Sequence, residues 1–166
     1  MSHRGAVDPG PHLAAVAVAM TRPGQPAATY AALERATDAV IGHKLFTILR
    51  YHATTGESER VWTNQPTAYP LAGRKALNPT SWSRHVLHER RPYLGRSADD
   101  IRAVFFDHEL IASLGCASVL NVPIVWADRV LGTMNLLHEA SWYDDADATI
   151  GLTFAALAVA ALAITP

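Results

Sequence analysis

The feature that most restricts what this chain can fold into is a pair of apolar arms, Ala117 to Trp126 and Val130 to His138, on either side of the short polar reversal Ala127-Asp128-Arg129. Runs rich in Val, Ile and Leu that face each other across a tight reversal pair as neighbouring strands. A hairpin this apolar belongs in the middle of a sheet. Everything else in the chain has to be arranged so that such a sheet exists and is covered.

A second hairpin precedes it. Leu45 to Tyr51 and Glu59 to Thr63 carry β-branched and aromatic residues and flank Ala53-Thr54-Thr55-Gly56, whose glycine suits a tight turn. Before that, Tyr30 to Ile41 sets Leu33, Ala36, Val40 and Ile41 at helical spacing. Between the hairpins, Asn64 to Pro79 reads as loop, broken by Pro66, Pro70, Gly73 and Pro79. Thr80 or Ser81 is expected to cap a helix reaching Arg90, ended by Pro92. Tyr93-Leu94-Gly95 is a short strand candidate, and Ser97 with Asp99 and Asp100 should open a helix toward Leu114. Asp144, Asp145 and Asp147 open a final helix whose body, Thr149 to Ile164, is apolar on nearly every face and must be covered. Helix, hairpin, irregular insert, hairpin, helix is an α+β order with an antiparallel sheet.

At 166 residues one core is expected. Residues 1–27, rich in Pro and Gly, read as a flexible or docking arm, and 28–166 as the domain. The apolar patch Leu13 to Met20 follows Pro9-Gly10-Pro11 and makes a poor secretory signal. The apolar run Gly151 to Ile164 falls short of the roughly 18 to 20 residues a bilayer crossing needs, so no membrane partner is expected. Fourteen Lys and Arg against 15 Asp and Glu, with no cationic run, argue against nucleic acid. One cysteine, Cys116, rules out an internal disulfide framework and fits a reducing, cytoplasmic setting. With 49% apolar and only 17% charged residues, some apolar surface should end in an interface, and a homodimer through the terminal helices is the expectation.

The central hairpin also resembles a known family. Gly115-Cys116-Ala117-Ser118-Val119-Leu120-Asn121-Val122-Pro123-Ile124, followed by Arg129-Val130-Leu131-Gly132-Thr133-Met134-Asn135-Leu136, is similar to the central hairpin of GAF domains. There a small-residue turn, "S-x-L-x-V-P-I", a polar reversal and "G-x-L-N-L" follow one another. Phe46 to Tyr51, the helix before Arg91-Pro92-Tyr93 and the helix after Trp142-Tyr143-Asp144 fall in the family's order, so the likeness spans roughly 28 to 163. It implies a PAS-related antiparallel sheet of five or six strands, with N- and C-terminal helices on one face. On the other face it implies a pocket roofed by the segment between the hairpins. Members bind diverse small molecules or act as dimerising signalling modules.

Under that roof the candidate ligand contacts are Tyr69, Trp82, His85, Tyr93, Phe105, Phe106, His108 and Glu109, an aromatic group with a few titratable tips. Taken singly, Trp82, Phe105 and Phe106 are as well explained as core filling. Asn121 and Asn135 interrupt apolar strands, so each must hydrogen-bond inside or face a wet cavity; pointing inward, they would floor the pocket. His85 and His88 stand three residues apart, yet no ordered Cys/His spacing accompanies them, and neither a metal nor another cofactor is expected. Thiol chemistry of the methionine sulfoxide reductase type, known in the family, ordinarily needs a resolving cysteine, which is missing here. The cyclic-nucleotide signature of some members is matched only in letters, at the wrong spacing, by Phe105-Phe106-Asp107-His108-Glu109. A small-molecule-binding sensory module that signals in trans, its ligand unknown, is thus favoured. The alternatives are a small enzyme using a pocket His or Glu and a dimerisation module with a vestigial pocket.

Overall fold

The computed structural model describes residues 5–164. In chain order it contains α1 (Gly10–Met20), α2 (Ala27–Val40), β1 (Leu45–His52), β2 (Glu57–Thr63), β3 (Ala72–Ala76) and α3 (Ser81–Ser83), which runs on into a π-helical turn (Arg84–His88). Then come β4 (Tyr93–Gly95), α4 (Ala98–Val104), α5 (His108–Ser113), β5 (Ser118–Trp126), β6 (Arg129–His138), α6 (Asp145–Ala156) and α7 (Val159–Ala163). The strands make one six-stranded sheet in the order β3-β2-β1-β6-β5-β4, each neighbouring pair antiparallel. The fold class is therefore α+β, as the order of sequence signals requires.

β5 and β6 occupy the middle. Their reversal needs only two residues, because Ala127 and Asp128 both take positive φ (49° and 62°), and that conformation matches the twist of the flanking strands. β4 pairs only with Val119, Leu120 and Asn121, which leaves Pro123 beyond its end and spares the sheet a missing ladder donor. Gly132 sits opposite both Arg50 of β1 and Ile124 of β5, where the backbones crowd.

The two faces of the sheet are covered differently. Phe46, Ile48, Leu120, Val122, Ile124, Met134 and Leu136 face the helices, where Tyr30, Leu33, Ile41, Phe154 and Ala158 complete the main core. Leu45, Val119 and Leu137 face the roof, against Tyr69, Ile101, Ile111 and Cys116. Val86 and Leu87 of the π-helical turn pack with Val130 in a third cluster. Within the stretch read as an arm, α1 packs on α2 and buries Val16 in the main core.

Four further elements differ from the sequence reading. Within Asn64 to Pro79, Ala72–Ala76 is a strand, held by its ladder to β2 rather than by buried side chains. The helix expected up to Arg90 begins at the cap Thr80 but passes into the π-helical turn and ends at His88; Arg90 takes a positive φ of 56°. The helix after Ser97 breaks at Phe105, whose extended backbone separates α4 from α5. The closing helix is likewise two pieces, with Leu157 and Ala158 between α6 and α7.

The starts of α3, α4 and α6 carry capping boxes. The Asp144 side chain accepts from the backbone N–H groups of Ala146 (2.9 Å) and Asp147 (3.0 Å), while the Asp147 carboxylate accepts from the Asp144 N–H at 3.0 Å. Replacing Asp144 by Ala is expected to cost about 1 kcal/mol, read as a lowered urea midpoint, whereas Asp144→Asn should keep most of that stability. Equal loss in the two variants would show that the carboxylate charge, not the cap, does the stabilising.

Candidate functional site

The roof-facing side of the central hairpin carries a line of buried amides. Asn121 and Asn135 are direct register partners on β5 and β6, with Thr47 opposite Asn135 on β1 and Tyr93 opposite Asn121 on β4. Trp82 Nε1 donates to Asn121 Oδ1 at 2.9 Å, Asn121 Nδ2 donates to Asn135 Oδ1 at 2.8 Å, and Asn135 Nδ2 donates to Thr47 Oγ1 at 3.2 Å. A chain of hydrogen bonds thus runs from the roof across three strands. Beside it Thr133, on the same face, is 3% exposed, and its Oγ1 has no partner among the described residues. An unpaired buried hydroxyl costs free energy, so it marks a place where a polar ligand atom or a water would be welcome.

Aromatic side chains surround the line. Phe105 meets Trp82 edge-on at 6.1 Å between centroids, and Tyr93 meets the His85 ring at 6.0 Å. His85 Nε2 lies 2.7 Å from the Pro92 carbonyl oxygen, which only accepts, so that nitrogen carries the proton. His85 is thereby committed to holding the π-helical turn against the start of β4. His88 is exposed, and among the described residues no group of three His, Cys, Asp or Glu is placed to hold a metal ion.

A second cluster locks the roof's outer part. The Tyr69 hydroxyl donates to Asp107 Oδ2, and the Arg60 guanidinium lies over the Tyr69 ring, 4.9 Å from its centroid. Arg60 Nη1 also donates to the Pro70 carbonyl at 2.8 Å. Burial, followed by the hydrogen bond and charge of Asp107, pushes the Tyr69 phenol far above its ordinary value; burial pulls Arg60 down from its own. Tyr69 therefore acts as a neutral donor that ties the segment before β3 to the turn between α4 and α5.

The remaining candidates lie elsewhere. His108 and Glu109, in the first turn of α5, line a separate cavity of about 260 Å³ with Ile101, Arg102, Ala112 and Cys116. Phe106 is 94% exposed, because the extended backbone at Phe105 turns that ring inward and its neighbour out. The structure thus brings together Trp82, Phe105, Tyr93, His85, Asn121 and Asn135, sets Tyr69 beside them with Asp107, and leaves Phe106, His108 and Glu109 apart. Sequence reasoning missed Arg60, Thr47 and Thr133; a hydroxyl on each of two strands, in register with Asn135 or two residues from it, was the available signal.

Cys116 is 3% exposed, and burial is the chief cause that pushes its thiol up from 9.0 to about 11, with Lys44 partly opposing it. The native thiol should be inert toward a disulfide reagent at pH 8 and react only after denaturation. A thiol titrating fast in the native protein would show the α4–α5 cavity to be open to its sulfur. A group whose folded pKa is raised holds its proton better when folded, so this contribution is complete below 9.0 and is lost as pH climbs toward 11.

An antiparallel sheet with terminal helices on one face and an aromatic, hydrogen-bonded roof on the other defines a small α+β domain of the GAF type. The family model described as GAF domain matches residues 48–162, and the chain belongs to the GAF domain family. Among solved structures, it is similar to the GAF domain of a phosphoenolpyruvate-protein phosphotransferase from Coxiella burnetii, with a TM-score of 0.74 and 13% identity over 96% of this chain and 95% of that one. It is also similar to the GAF domain of a two-component sensor histidine kinase from Bacillus halodurans (TM-score 0.63, 14% identity, 80% and 89% covered). The chromophore-binding domain of a bacteriophytochrome from R. palustris gives a TM-score of 0.64 at 12% identity, over 89% of this chain and 58% of that one. At these identities the likeness is one of fold. No curated protein matches the sequence.

Proposed function

We propose that this domain is a sensory module that binds a small molecule between the roof and the sheet. The hydrogen-bonded line from Trp82 through Asn121 and Asn135 to Thr47 carries the reading. A face that only had to be filled would be cheaper to build from aliphatic residues, since every amide placed there must be kept satisfied. Because one end of the line is a roof residue, a ligand that takes Asn121 from Trp82 moves the π-helical turn, and binding becomes a change of shape. GAF folds occurring in a sensor histidine kinase and in a chromophore-binding domain support the same reading.

Val18 on α1, Leu152 on α6 and Ile164 after α7 are large apolar side chains left exposed on the terminal helical segments, which favours signalling through a homodimer built there. The setting is a reducing, cytoplasmic one. Among the described residues no helix is long and apolar enough to cross a membrane.

Native mass spectrometry of protein purified from cells without added ligand tests both parts. The expected result is a dimer carrying a small-molecule adduct, with the adduct lost in Asn121→Leu and the dimer lost in Leu152→Glu. A bare protein that takes up nothing from a metabolite extract overturns ligand binding; a monomer overturns the dimer.

A further inference from the structure

The larger of the two cavities described lies on the opposite side of the sheet from the roof. A groove of about 440 Å³ opens between the start of α2 and the outer strands β2 and β3, bordered by Pro26, Tyr30, Arg50, Glu59, Val61 and Leu71. That volume is within the usual range for small-molecule sites. Two charges of opposite sign meet there: Arg50 and Glu59 stand directly across from each other in the β1–β2 ladder. Yet Glu59 Oε2 lies 3.0 Å from His52 Nε2, so the acid is drawn toward the neighbouring strand position. Arg50 Nε is buried and has no hydrogen-bond partner among the described residues. A guanidinium carries five donors in a fixed fork and holds a carboxylate through two N–H groups at once, so an unpartnered Nε is an acceptor's place left open.

The walls are mixed in the way a compact ligand needs. Pro26, Val61 and the exposed Leu71 supply apolar contact, and the Tyr30 phenol forms part of the wall beside Arg50. Arg50 and Glu59 together define the polar end, a cation and an anion on directly paired ladder positions, whereas Arg60, the other charged residue of the lining, has its guanidinium turned onto the Tyr69 ring and the Pro70 carbonyl. A simple anion would meet Glu59 unfavourably, and a simple cation would meet Arg50 the same way. Only a molecule with both charges satisfies both.

We propose that this groove is a second binding site, distinct from the roof, for a small zwitterion that sets its carboxylate on Arg50 and its ammonium on Glu59. An α-amino acid with an apolar side chain has this chemistry, with the side chain lying against Val61 and Leu71. The site is wired to the terminal helices: the Tyr30 ring is 6.1 Å from that of Trp62, and the Tyr30 hydroxyl donates to the Ala161 carbonyl of α7 at 3.4 Å. A ligand seated on Arg50 therefore bears on both α2 and the last helix.

The test is an NMR titration of the whole chain with L-leucine, following the indole N–H signals of Trp62, near the groove, and Trp82, at the roof. The expected result is a saturable shift at Trp62 with Trp82 unmoved. Removing either charge of the probe, with 4-methylpentanoate or L-leucinol, should weaken binding by about tenfold or more. Arg50→Gln should weaken leucine by a similar factor, and Arg50→Lys by less, because the charge remains without the fork. No saturable shift up to about 10 mM, equal binding of the three probes, or unaltered affinity in Arg50→Gln would each overturn the proposal. Shifts confined to Trp82 would do so too while supporting the roof site, and the probe comparison decides even if Arg50→Gln does not fold.

Discussion

Gly132→Ala is expected to be the most damaging single-methyl substitution in the molecule, costing about 3 kcal/mol or more out of a stability of roughly 5–15 kcal/mol typical of such domains. A Cβ at this position would stand 2.0 Å from the Leu49 carbonyl oxygen, and main chain cannot rotate away as a side chain can. To make room, β1 and β6 would have to separate where Arg50 faces Gly132, and the roof and helical layers both hang on that junction. Gly73→Ala on the edge strand is the matched control, because a Cβ there meets nothing within 4 Å; a change within about 0.5 kcal/mol is expected. Urea unfolding of the two variants decides the matter, and a Gly132→Ala protein as stable as the Gly73→Ala one would mean that the close approach is not as described.

The second large effect concerns the amide line. Asn121→Leu strips the half-buried Trp82 Nε1 of its acceptor and the buried Asn135 Oδ1 of its donor, and should cost about 2–3 kcal/mol. Trp82→Phe orphans only Asn121 Oδ1 and should cost less. Because the two residues share one hydrogen bond, the double variant is expected to be less damaging than the sum by about 0.5 kcal/mol or more. Strict additivity in a double-mutant cycle would sever the roof from the sheet energetically and remove the basis for reading ligand contact as roof movement.

How much of this could be seen in the residues alone follows from how local each feature is. The central hairpin was legible because β5 and β6 bury nearly every side chain and so are apolar at nearly every position. β3 was not, since Ala-Gly-Arg-Lys-Ala has neither an apolar run nor alternation and is a strand only because β2 offers it a ladder. The α4–α5 break escaped because no glycine or proline marks it; tertiary packing of Phe105 on Trp82 accompanies the extended backbone. At the site, Asn121 and Asn135 announced themselves by being polar in apolar company. Tyr69 and Asp107 meet across 38 positions, and no spacing rule reaches that far. The groove at Arg50 and Glu59 has no signature in the residues, because it belongs to the packing of α2 beside the outer strands and not to any one element.

The two margins of the sheet have a consequence for how copies of this domain can meet. β4 offers only the three residues Tyr93–Gly95 to a newcomer, and β3, at the far side, carries Arg74 and Lys75 along its exposed length. Short or cationic borders resist strand-to-strand stacking, so ribbon-like growth of the sheet from molecule to molecule is discouraged on both flanks. Open-ended polymers grown through the sheet are thereby disfavoured, which leaves the helical side as the face for the closed dimer proposed above.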